Sequence, residues 1–152
     1  MVMEKLGFTF VQDQRLREVL EDYYSQGVKA YEVGSYLGTL VACGSVVEGL
    51  LTWALLQHKN AALNSSKADK NKQGQVRPLE EWNLTYLINV SAELKLIGKT
   101  ANQASWAVKD FRNFIHPYNL LKQSARPDRS LAMSALGSVG EINRSLKGRL
   151  SK

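Results

Sequence analysis

Cysteine, proline and histidine are all scarce in this chain, with one, three and two copies among 152 residues, and each scarcity excludes something. A single Cys43 rules out an internal disulfide and any multi-cysteine metal centre. Its neighbours Leu40, Val41, Ala42, Gly44 and Val47 read as the surroundings of a small buried side chain. His58 and His116 stand far apart and no carboxylates cluster in the sequence, so neither a zinc site nor a two-metal site has a signature. No metal and no cofactor is expected. There is no run of eighteen apolar residues and no charged-then-apolar leader, which reads as a soluble, cytoplasmic protein with no membrane segment. No stretch alternates apolar and polar residues with period two, and neither repeats nor low-complexity tracts occur.

What the chain does have is helical periodicity and positive charge. At 44% hydrophobic and 22% charged residues it can build one domain with its own core and is too short for two. The formal net charge of +6 favours encounter with a polyanion, nucleic acid above all. Much of the excess sits in Lys67, Lys70, Lys72 and Arg77 and again from Arg126 to Lys152, where solvating charge is the favoured explanation on charge alone.

The spacing predicts an N-terminal arm over 1–12, a helical domain over 13–149 and a short tail over 150–152. Leu16, Val19, Leu20, Tyr23, Tyr24 and Val28 recur at helical steps in a first helix over 13–33, with Asp13 as its N-cap. A second, most apolar helix is predicted from about Ser35 to His58, with His58 as a solvated helix-end residue. Residues 64–77 are almost entirely polar and read as an exposed, flexible loop. Pro78 with Glu80 and Glu81 predicts the start of a third helix that Gly98 closes, and Thr100 can cap a fourth. Pro117 stops the fourth helix, and Pro127 or Asp128 opens a fifth through Leu146. The expected fold is an all-α, up-and-down bundle of about five helices. Trp53, Trp82 and Trp106 each fall in an apolar helical pattern and are expected to pack in the core or on a dimer face.

The segment Asp110-Phe111-Arg112-Asn113-Phe114-Ile115-His116-Pro117 ends the fourth helix. At about 100° per residue Arg112 and His116 lie one turn apart with Asn113 beside them. Ala104, Val108, Phe111 and Ile115 form a separate apolar stripe. Lys109 lies two turns below His116 at nearly the same azimuth, so one face carries two cations and an imidazole. Glu48 stands on the second helix in line with Val41, Gly44, Leu51 and Leu55, and a carboxylate buried there needs a cationic or imidazolium partner, for which Arg112 and His116 are the candidates.

The Arg112-Asn113-Phe114-Ile115-His116-Pro117 block resembles the signature of the HEPN superfamily, small helical proteins that include metal-independent ribonucleases of toxin–antitoxin and antiviral systems. The run from Ala30 to Leu37 leading into Gly44 to Leu51 is similar to their long second helix with its inward acidic residue. Arg112 and His116 enclose three residues, fewer than is usual in that family, and Lys109 stands where a six-residue spacing would put the arginine. The resemblance implies an RNA-binding endoribonuclease that works as a homodimer, with both motifs facing one cleft.

On that reading His116 is the general acid or base at the ribose 2′-hydroxyl, Arg112 clamps the scissile phosphate, and Asn113 positions the phosphate or the imidazole. Glu48 orients Arg112, Lys109 supports the site, and a cognate antitoxin is a further partner. A second reading needs no activity: Glu48, Arg112 and His116 form a structural polar network in a non-catalytic interaction module that partners a nucleotidyltransferase or a defence assembly.

Overall fold

The computed structural model describes residues 6–122 and 126–150, with the side chain of Arg112 outside that description. It is an all-α bundle. Five long helices carry it: α1 (Gln14–Glu32), α2 (Tyr36–Leu56), α4 (Leu84–Glu93), α5 (Lys99–Phe111) and α7 (Arg129–Leu150). Two short ones, α3 (Lys59–Leu63) and α6 (Pro117–Lys122), sit in the connections. Among the described residues there is no strand, only an isolated Lys70–Val76 bridge.

The central element is α2, which packs against α1, α4, α5 and α7. A helix covered on most sides loses its polar face, and this explains why α2 is apolar nearly all round. One eighteen-residue window reaches a mean hydropathy of 1.7, enough by length and composition to cross a membrane, yet 61% of it is buried inside the bundle. Leu40, Val46, Val47, Leu50, Leu51 and Leu55 are all buried there, each contributing ~1.5–3 kcal/mol by leaving water. The α1–α2 pair is close enough that a methyl added at Gly27 would lie 3.1 Å from the Cβ of Ala42. Next to it, the hydroxyl of Thr39 donates to the Gly27 carbonyl at 2.9 Å.

Asp13 caps α1 as its position suggests, accepting from the amides of Arg15 and Leu16, and Asp128 likewise accepts from Leu131 at the start of α7. Elsewhere the structure departs from the sequence reading. Residues 6–12 are not a loose arm: Phe8 and Val11 are fully buried, Phe8 sits edge-on to Tyr24, and Arg17 donates twice to the Val11 carbonyl.

Nor is the polar stretch 64–77 structureless. Asn71 Oδ1 accepts from the amides of Gln73 and Gln75, Gly74 turns the chain at φ 80°, and buried Asp69 pairs with Arg77 at 3.6 Å. Its polar groups satisfy one another locally, which composition alone hides.

The third helix starts at Asn83 and not at Pro78, which leads only a 3-10 turn at Leu79–Glu81. It ends at Glu93, before Gly98, because Lys95 adopts φ 58° and the amides of Lys95 and Leu96 return to Ala92 and Ser91. Gly98, not Thr100, then precedes α5: its carbonyl accepts from Asn102 while its amide donates to Ser145 of α7.

Candidate functional site

Proline has no amide hydrogen and pushes the residue before it out of the helical region. His116 accordingly sits at φ −91°, ψ 114°, and α5 cannot run through to it. The helix ends at Phe111 and tightens into a 3-10 turn over Arg112–Ile115. Pro117 then opens α6, with the His116 carbonyl accepting from Leu120 at 3.0 Å. The proline expected as a helix stop is therefore both a stop and a start.

This break changes which residues share a face. Three residues complete a 3-10 turn, so Asn113 and His116 fall in one column, and Lys109 stands one α-helical turn before Asn113. All three line a cavity of about 260 Å³. Its opposite wall is the first turn of α4, with Asn83, Leu84 and Thr85. Asn83 caps that helix by accepting from the Thr85 amide at 3.1 Å, and the positive end of the α4 dipole faces the cavity. Among the described residues no carboxylate lines it. Lys109 spans two environments, with its Nζ 5.7 Å from the centroid of the Trp106 ring. One ammonium, one amide, one imidazole and a helix N-terminus around a common space make a setting for an anion that also needs a proton acceptor or donor.

Glu48 reaches the same turn from the other side. It lines a small cavity of about 70 Å³ with Val41, Gly44, Ser45 and Ile115, the residue before His116. It is half-buried and engaged in an interaction of its own, not deeply buried in the core as its apolar neighbours suggested. With Ser45 and Thr52 it borders an open groove, while Leu51 and Leu55 of the same helix are buried. The structure thus gathers Lys109, Asn113 and His116 at one cavity and Glu48 at the adjoining one. Arg112 belongs to the 3-10 turn by its backbone, and its side chain lies outside the described residues.

His58 is exposed beyond the end of α2, away from the cavity, as a helix-end residue should be. Trp53 and Trp82 are buried, the latter donating from its indole to the Arg77 carbonyl, whereas Trp106 is half-buried beside Lys109. Asn83 and Thr85 are the cavity residues that sequence reasoning missed. Starting the third helix at Pro78 placed them inside it, although an Asn directly before the apolar run Leu84, Leu87, Ile88 is itself an N-cap signal.

Cys43 is buried, and burial pushes its thiol up to about 12, so it contributes no nucleophile. No three His, Cys, Asp or Glu side chains gather among the described residues as a metal site would require. No protein-family model, no curated protein and no solved structure matches this chain, so the site rests on its own geometry.

Proposed function

We propose that this chain is a HEPN-like, metal-independent endoribonuclease, toxin-like or defence-associated, that acts in the cytoplasm on single-stranded RNA as a homodimer. The observation that carries the reading is the cavity shared by Lys109, Asn113 and His116, with no carboxylate among its described lining residues. A phosphodiester entering it meets the Lys109 ammonium and the Asn113 amide as donors to its non-bridging oxygens.

His116 accepts the proton of the ribose 2′-hydroxyl, and the 2′-oxygen attacks phosphorus. The bond to the 5′-oxygen breaks, and that oxygen takes a proton from a second acid, the imidazole of a second copy or water. The products are a 2′,3′-cyclic phosphate and a 5′-hydroxyl. Arg112, carried over from the resemblance, is the clamp that offsets charge on the phosphorane, and Glu48 supports the turn from the α2 side. The net charge of +6 brings RNA to the surface before any specific contact forms.

The test is incubation of the purified chain with a labelled single-stranded RNA in excess EDTA. Cleavage that persists and leaves 2′,3′-cyclic phosphate ends is the expected result. Intact RNA under all such conditions removes the ribonuclease reading and leaves the interaction module, in which the same residues brace the bundle and a nucleotidyltransferase or defence assembly is the partner.

A further inference from the structure

Of the large apolar side chains left exposed among the described residues, all but Val33 fall on two neighbouring features. The first is concave. A groove of about 650 Å³ runs between α1 and α2, walled by Tyr23, Leu37 and Val41 over a floor of small residues including Ala30, Gly38 and Ala42. Val19, one turn before Tyr23, extends the same face of α1.

The second is convex. Helix α6 has no buried residue and packs on the 3-10 turn before it, and it presents Tyr118 and Leu121, 82% and 72% exposed and one turn apart. The two features adjoin, since Val41 and Ser45 line both the groove and the small cavity that reaches Ile115, two residues before α6 begins.

We propose that the groove and α6 are the two halves of a self-association surface: in a two-fold pair, Tyr118 and Leu121 of each copy seat in the α1–α2 groove of the other. A projection and a recess side by side on one face are exchanged by a two-fold axis passing between them, so each contact is made twice and assembly closes at two copies. The described groove lining carries no charge and its small floor residues leave depth for a phenol ring and an isobutyl group. Asp22, next to Tyr23 in the chain, and Lys122, next to Leu121 at the end of α6, are both exposed and opposite in charge. Contiguous apolar exposure of this kind marks an interface. The inference rests on the dimeric part of the proposed function and deepens it, because it names the surfaces through which the two copies pair.

The experiment is sedimentation equilibrium of the full chain, without RNA, for the wild type, Val41→Arg and Leu121→Asp, with helicity and melting followed by circular dichroism. The wild type is a dimer at micromolar concentration, and each variant keeps its helicity while its dimer Kd rises by ~100-fold or more. An equimolar mixture of the two variants recovers part of the dimer, because a mixed pair retains one intact α6-in-groove contact. A wild type that stays monomeric overturns the proposal, as does a dimer that neither substitution weakens. Should Val41→Arg fail to fold, Leu121→Asp at an exposed position decides alone. RNA cleavage is read separately: a dimer without cleavage removes only the nuclease, and cleavage by a monomer removes this interface and the homodimer while leaving the nuclease.

Discussion

Replacing Lys109 with alanine separates a phosphate site from a merely polar cavity. The Lys109 ammonium lies 5.7 Å from the Trp106 ring and its side chain borders the cavity of Asn113 and His116. A partly exposed cation–π contact is worth ~0.5–1 kcal/mol, so Lys109→Ala costs the fold no more than about that. In binding, each phosphate contacted on a single strand contributes about 0.7 to the slope of log K against log salt. Losing one such contact lowers the slope by about 0.7, which makes the fall in affinity between about 50 and about 200 mM salt roughly 2.5-fold smaller. The assay is fluorescence anisotropy of a labelled single-stranded RNA, in a His116→Ala background so that the strand stays intact. Lys109→Arg keeps the parent slope, because it keeps the charge. A parent slope in Lys109→Ala refutes the phosphate assignment.

Two further outcomes follow from packing. With its thiol pushed from an ordinary 9.0 up to about 12, Cys43 keeps its proton in the fold while the unfolded chain releases it. The folded state therefore binds more protons across that window. Stability is complete below about pH 9 and falls by ~1.4 kcal/mol per pH unit above it, through this one group; urea titrations of Cys43→Ala should show a shallower alkaline slope than wild type, and equal slopes sink the assignment. Gly137→Ala adds a methyl that meets nothing within 4 Å and raises stability by ~1 kcal/mol through helix propensity. Gly27→Ala drives its methyl to 3.1 Å from Ala42 Cβ, which cannot rotate aside, and overpacking of ~1–3 kcal/mol outweighs the same propensity gain. Melting temperatures that rise for both variants contradict the close α1–α2 approach.

The five long helices are legible in the sequence because their apolar residues recur at helical steps and their starts at Asp13 and Asp128 carry capping side chains. The start of α4 is not, because Pro78, Glu80 and Glu81 form one plausible helix start and Asn83 another, and only burial of Trp82, Leu84, Leu87 and Ile88 decides between them. The left-handed turn at Lys95 has no glycine to announce it. At the motif, the break before Pro117 is legible, whereas the 3-10 tightening is a response to that break which periodicity cannot foresee. An α-helical reading pairs His116 with Arg112; the observed turn sets it over Asn113, with Lys109 one turn earlier and α4 across the cavity. The groove beside α6 escapes the sequence for a different reason: residue type alone does not say whether Tyr118, Leu121, Leu37 and Val41 are covered, and the structure leaves them outside.

The role of His116 is tested most directly by single-turnover RNA cleavage in EDTA with His116→Ala and His58→Ala side by side. Both imidazoles are exposed, so neither substitution opens core volume and both variants should melt with the wild type. Only His116 borders the cavity. The predicted result is a rate lower by ~100-fold or more for His116→Ala, the scale of a lost general acid or base, with His58→Ala within about twofold of wild type. A His116→Ala protein that cleaves as fast as wild type, or a His58→Ala protein that loses as much, contradicts the assignment of this cavity as the place where RNA is cut.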